Sequence, residues 1–395
     1  MLCCDPAAPK RKGAIQLELQ GDVDSRFAPA ADAFLNGFET GRDTGAALAV
    51  FLAGEPVIDV WAGHRDRRKT EPWARDTLCC VFSSTKGVAA LCILQAVAEG
   101  SLELDAPIAA YWPEFAAAGK QALTVRHILS HQSGLVGLRE PVEANLLYDW
   151  DAMCTRLAAE APWWEPGTQH GYQARTFGFL LGEVLRRATG QRIGDWLRSR
   201  MAEPYDLDFW VGLPEPELKR CAQMVPARLK AGAPPPPESV RQLFAAMQDK
   251  TTATAAAFQN PSMGPGYMNS TEFRTAELPA MNGHGTARAL ARLYALSPEI
   301  LPAELLAQAA STQSLGEDEV LKSLTHFGLG FMLHHPEAPL GRPGAFGHAG
   351  AGGSMAFYDP DTELAFCFAM NQMEQGVVNG GQSAQLCAEA VYQCL

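Results

Sequence analysis

A serine followed three residues later by a lysine, Ser83 and Lys86 in Val81-Phe82-Ser83-Ser84-Thr85-Lys86-Gly87, is the pattern in this chain best suited to covalent chemistry. Residues three apart share a helix face, so the amine can stand beside the hydroxyl and take its proton, which turns the serine into a nucleophile. No other lysine has a serine at that spacing. The plain alternative is a helix N-terminus at which Ser83 only caps.

Two further segments carry groups that could serve such a serine. Tyr172, in Pro166-Gly167-Thr168-Gln169-His170-Gly171-Tyr172-Gln173-Ala174-Arg175, stands in a loop stiffened by Pro-Gly just ahead of a helix-like run. A phenol titrates near about 10, so it acts as a base only where a cation favours phenolate, and Lys86 would supply that charge. An ordinary amphipathic tyrosine at a domain seam is the other reading. The segment Phe346-Gly347-His348-Ala349-Gly350-Ala351-Gly352-Gly353-Ser354 is glycine-rich. It allows close backbone approach and free N–H groups, as an oxyanion hole needs. A hairpin whose glycines serve only turn geometry would look the same.

The elements that must position these groups are legible in part. Apolar residues at helical spacing (Phe27, Ala31, Phe34, Leu35, Phe38) predict a helix over 25–40, closed by Gly41. Residues 45–52 and 56–62, separated by Ala53-Gly54-Glu55, read as a hairpin, and 78–82 as another strand. Residues 87–99 form a helix apolar on every side, which belongs between layers. From 105 to 280 helical patterns dominate (124–130, 150–159, 176–188, 193–201), with four prolines at 234–237 as a turn or stiff linker. A helix over 282–296 follows, then strands over 328–334, 353–358 and 363–370 and a final helix over 381–395. Strands at both ends around a helical middle predict a two-domain α/β (α+β) fold. An antiparallel or mixed sheet domain from 1–104 and 281–395 would be flanked by helices, with a mostly helical domain, 105–280, covering a cleft.

With 395 residues, 47% hydrophobic and 19% charged, the chain can bury substantial cores. A net charge of −12 disfavours nucleic acid and anionic membrane surfaces; the short basic cluster at 65–69 reads as a solvated turn. No leader-like segment opens the sequence and no run of eighteen apolar residues occurs, so a cytoplasmic location is expected. The ten cysteines include vicinal pairs Cys3/Cys4 and Cys79/Cys80 and no CxxC, which fits unpaired thiols in a reducing compartment. His127 and His131 imitate a zinc pair but have no intervening glutamate of the HExxH kind. Neither metal nor organic cofactor is expected.

In this order and at these separations the three segments, with Leu129-Ser130-His131-Gln132-Ser133-Gly134-Leu135 and Asn282-Gly283-His284-Gly285-Thr286-Ala287-Arg288, resemble the serine β-lactamase-like superfamily. The likeness extends to class C β-lactamases, D-alanyl-D-alanine peptidases and above all the family VIII carboxylesterases, over about residues 45–371. It implies a β-lactamase/transpeptidase-like fold, Ser83 as nucleophile, Lys86 and Tyr172 as the general base pair, and the N–H groups of Ser83 and Ala351 as oxyanion donors. His348 and Gly350 fall beside the substrate.

Departures from the pattern bear on the substrate. Class C enzymes carry Tyr-x-Asn, where this chain has Ala174 at the third position, and a Lys-Thr/Ser-Gly, where it has His348-Ala349-Gly350. Losing an amide and a permanent cation favours uncharged esters, and the expected activity is hydrolysis of short- to medium-chain carboxylic esters. A literal Tyr-x-Asn at Tyr267-Met268-Asn269 is a rival base, although its flanks do not fit. No GxSxG occurs, so the nucleophile elbow of α/β-hydrolases is not supported. A β-lactamase, D-amino-acid peptidase or acyltransferase on the same site stays open, as does a non-catalytic binding or self-assembling member. The oligomeric state is left undetermined.

Overall fold

The computed structural model describes residues 18–227, 237–374 and 380–395. The N-terminal Cys3/Cys4 pair and most of the four-proline segment lie outside the described residues. The strands in chain order are β1 (Gln20–Val23), β2 (Gly45–Leu52), β3 (Glu55–Gly63), β4 (Cys79–Cys80), β5 (Phe209–Trp210), β6 (His284–Gly285), β7 (Ser314–Glu317), β8 (Leu324–Phe327), β9 (Met332–Leu333), β10 (Phe346–Ala349), β11 (Met355–Asp359) and β12 (Leu364–Met370). Nine of them form one antiparallel sheet, ordered β1-β3-β2-β12-β11-β10-β9-β8-β7. Its middle joins the two ends of the chain: β2 pairs with β12 from Ala46↔Met370 to Leu52↔Leu364.

The register separates two faces, because side chains alternate along a strand. Phe366, Phe368 and Phe357 point one way. Against them pack helix α1 (Ala28–Glu39) and the C-terminal helix Gln382–Gln393, with Phe34 edge-on to Phe368 and Tyr392 stacked on Phe357. The opposite face is lined by small residues, with Ala47 opposite Ala369 and Ala49 opposite Cys367. Helix Ala287–Ala295 lies there, tied by the Arg288 guanidinium to Asp59 at 2.6 Å.

Beside that helix runs α2 (Thr85–Ala98), in which every residue from Thr85 to Leu94 is buried. It starts two residues before the expected position, so Lys86 falls in its first turn. Contact with the neighbouring helix is close: a Cβ on Gly87 would fall 2.0 Å from the Tyr294 hydroxyl oxygen. The helical expectations for the middle segment are met by α3 (Val125–Leu129), α4 (Trp150–Ala159) and α5 (Thr176–Thr189).

Two strand expectations are corrected. Residues 78–82 yield only β4, in a separate small sheet with β6 and β5. Residues 328–334 yield only β9, since the chain turns through Gly330 at φ +82°. The glycine-rich segment holds β10 and the turn of its hairpin with β11, and the first residues of the expected helix over 282–296 include the strand β6.

Candidate active site

Ser83 lies on a short 3-10 turn (Phe82–Ser84) leading directly into α2. Phe82 adopts φ +45°, a left-handed conformation rarely open to a bulky side chain, at a cost of about 1–3 kcal/mol. Its surroundings hold it there. The Thr85 hydroxyl donates to the Phe82 carbonyl and accepts the Gly283 N–H at 2.8 Å, while the Val81 N–H donates to the Gly283 carbonyl at 2.9 Å.

Lys86 is fully buried, and its Nζ stands 3.4 Å from Ser83 Oγ. It donates to the carbonyls of Ala174 and Ala280, both at 2.9 Å, and sits 4.6 Å over the Tyr172 ring. Loss of hydration on burial pushes the amine well below its ordinary 10.5.

Tyr172 is brought to the same place, its phenol near enough to Ser83 for the two side chains to interact. Its ring packs 5.0 Å from that of His131 and stacks on Phe327. Burial pushes the phenol upward, the hydrogen bond from Ser83 lowers it and the Asp318 charge raises it. The expectation that Lys86 makes Tyr172 a phenolate is therefore corrected. Desolvation acts on both groups and favours a neutral amine beside a protonated phenol.

His348 and the turn after it complete the cluster. The His348 ring is wholly buried 6.0 Å from that of Tyr172, with Nδ1 donating to the Ala349 carbonyl at 2.6 Å. Burial, then the neighbouring Lys86, pushes the imidazole down to about 3. Its ring packs beside that of Tyr172, with Nε2 lacking a hydrogen-bond partner among the described residues. Gly350 uses its own N–H on the Ser354 carbonyl at 2.8 Å, and a Cβ there would meet Val81 O and Ser354 Oγ, each at 2.2 Å. Its contribution is close approach: the strand end comes flush against the residue two before Ser83. Ala351, next in the turn, is exposed, and its N–H has no acceptor among the described residues.

Several further residues hold this arrangement. The Ser84 hydroxyl donates to His348 O at 3.1 Å and that of Ser354 to Val81 O at 2.8 Å, stitching the turn that carries Ser83 to β10. His131, at φ +60°, accepts the Gly171 N–H on its carbonyl and the Gln173 N–H on Nδ1. Asp318 accepts the N–H of Tyr172 between them, at 3.0 Å. Only pairing across 42 and 146 residues reveals these roles, which local spacing cannot carry.

The rival features find other employment. Asn269 clamps the Met224 backbone through both amide atoms at 2.8 Å, and Tyr267 packs edge-on against Phe273. His127 belongs to a capping box with Thr124 at the start of α3. Among the described residues no group of three or more His, Cys, Asp or Glu could hold a metal ion, the cysteines are free thiols, and no helix is long and apolar enough to cross a membrane.

A serine, a desolvated lysine and a buried tyrosine at the foot of a helix beside an antiparallel sheet define a serine hydrolase of the β-lactamase/transpeptidase type. Comparison with known proteins agrees. The family model described as Beta-lactamase matches residues 31–386, and the chain belongs to that family. It is 37% identical over 371 residues to the esterase/beta-lactamase LipL of Mycobacterium tuberculosis (strain ATCC 25618 / H37Rv), covering 89% of this chain and 83% of that one. A crystal structure of a family VIII carboxylesterase superposes with a TM-score of 0.86 at 36% identity, covering 96% of this chain and 100% of that one. A penicillin-binding protein homolog from Caulobacter crescentus superposes with a TM-score of 0.85, also at 36% identity and with the same coverage.

Proposed function

We propose that the protein is a serine carboxylesterase acting on uncharged short- to medium-chain esters, with Ser83 as nucleophile and Lys86 and Tyr172 as its proton-transfer pair. The observation that carries the reading is the setting of Lys86. A neutral amine has two hydrogens, both committed to the Ala174 and Ala280 carbonyls, which leaves its lone pair for the Ser83 hydroxyl. Nζ takes the Ser83 proton as Oγ bonds to the ester carbonyl carbon, and the N–H groups of Ser83 and Ala351 receive the oxyanion. The bond to the alkoxy oxygen then breaks, with Tyr172 passing its proton to the leaving alcohol and recovering one from Lys86. Water reverses these steps to release the acid.

Preference for uncharged esters is supported by Ala174, which offers no amide, and by His348, buried and neutral where a cation would hold a carboxylate. Part of the same reading is a cleft at the seam of a sheet domain (1–104 and 281–395) and a helical domain (105–280), since Lys86 reaches across to Ala174. A reducing, cytoplasmic setting fits the free vicinal thiols Cys79 and Cys80.

A second reading, the same site opening a β-lactam, is favoured by the mycobacterial relative, whose name joins both activities. Intact-mass detection of an acyl adduct from p-nitrophenyl esters of graded length tests the first. The adduct should form on wild type and be absent from Ser83→Ala; nitrocefin turnover matching the best ester would favour the second. Failure of a fluorophosphonate to label Ser83 in folded protein would point instead to a non-catalytic member.

A further inference from the structure

We propose that Asp318 is a positioning residue for Tyr172: one oxygen of its buried carboxylate gathers the Tyr172 N–H with two others and thereby fixes where the phenol stands against Ser83. This rests on the Ser83–Lys86–Tyr172 reading above.

Asp318 has no solvent exposure. Its Oδ1 accepts the backbone N–H of Tyr172 at 3.0 Å and those of Val320 and Leu321, each at 2.8 Å. Its Oδ2 accepts the Thr325 hydroxyl at 3.2 Å, and that hydroxyl oxygen lies 2.9 Å from His170 Nε2. The Glu319 N–H closes the circuit on the His170 carbonyl at 3.1 Å. Residues 170–172 are thus held by the 318–325 segment on one side and by His131 on the other. The N–H groups of Gly171, Tyr172 and Gln173 go to His131, Asp318 and His131 in turn.

A buried carboxylate is costly unless its lone pairs are met, and Asp318 is met four times. A core that needed only to be filled would use an apolar residue. The ionisable groups facing Tyr172 are Lys86 beneath its ring, His131 and His348 beside it, and Asp318 at its backbone. Of these, Asp318 brings the negative charge, and it acts to keep the phenol protonated, the form that donates to a leaving alcohol. Burial pushes the Asp318 carboxyl up, while its backbone donors and the facing His170 pull it back.

The test is steady-state kinetics on Asp318→Asn and Thr325→Val across pH, with near-ultraviolet titration of the phenol read as the difference between each protein and its Tyr172→Phe counterpart. In Asp318→Asn, kcat should fall about 10- to 100-fold with KM changed less than threefold, the loss expected of a reacting group held slightly out of place. The alkaline limb of kcat and the phenol titration should both move to lower pH, and because re-solvation by loosening would act in the same direction, the charge is assigned by comparison with Thr325→Val. Thr325→Val keeps the charge, so kcat should fall severalfold with the alkaline limb unmoved. Wild-type kcat in both variants, or in the one that folds, overturns the assignment. Ser83→Ala run alongside separates the two layers: hydrolysis surviving that change sinks the esterase reading itself. Hydrolysis lost there but intact in Asp318→Asn sinks only the role of Asp318.

Discussion

Two lysines are fully buried among the described residues, and their surroundings differ in one partner. Lys120 donates to three carbonyls, those of Ala117, Ala158 and Glu160, which satisfies an ammonium completely. Lys86 has two carbonyls and, in the third direction, Ser83. The first is a structural pin and the second is equipped to exchange a proton. Lys86→Met should lower kcat about 10²- to 10⁴-fold, measured as initial rates on p-nitrophenyl esters, while fold and KM persist. In wild type kcat should rise with pH through the lowered Lys86 value, because the proposed base is the neutral amine, and fall again only where the Tyr172 phenol ionises.

The same group leaves a mark on stability. Its folded-state value lies below 10.5, so between the two the unfolded chain holds one more proton at this position than the native protein. Wild type should therefore gain stability over Lys86→Met as pH rises through that window, by at most about 1.4 kcal/mol per pH unit. Urea unfolding at a series of pH values checks the sign. At this scale Ser83 and Lys86 were legible because helix geometry makes a local spacing meaningful. The protonation of Tyr172 was not, since desolvation by residues far away in the chain decides it.

Among the elements, the contact of α2 with helix Ala287–Ala295 and the turn after β10 place the site. The Tyr294 hydroxyl is buried without a hydrogen-bond partner among the described residues and occupies the room a side chain at Gly87 would need. Tyr294→Phe should match or exceed wild type in Tm, since it deletes an unmet polar group. Gly87→Ala should cost about 1–3 kcal/mol, and the double variant should recover part of that. Gly350→Ala should act on rate instead, because its Cβ would drive the turn away from Val81 and carry the Ala351 N–H with it. A kcat loss of about 10²- to 10³-fold is expected, the worth of one oxyanion donor.

The β2–β3 hairpin was readable because the turn Ala53-Gly54 adopts positive φ at both central residues, the geometry that short hairpin loops require. Strands β7 and β8 escaped notice for the opposite reason. They are four residues each, only half-buried along their length, and β7 lies at the sheet edge, so neither period nor apolarity announces them.

For the molecule as a whole, the central pair β2 and β12 decides what can be removed. β12 is buried at all seven positions and has a partner on each side. Deleting residues 364–395 should abolish the cooperative thermal transition seen by circular dichroism, whereas a peripheral strand such as β1, mostly exposed, should be dispensable for it. A strand-helix-strand order along the chain was enough to foresee a sheet closed from both ends. The register that sets Ala49 against Cys367 rests on side-chain volumes that only packing reveals.

That closure also orders events in time. A ribosome releases the serine at position 83 long before it has made Ala351 or the strand ending at Met370, and β2 has no inner neighbour until that strand emerges. On the proposed roles, the nascent chain would therefore carry Ser83 without the donor assigned to Ala351, and the site would be complete only when synthesis reaches the far side of its own sheet.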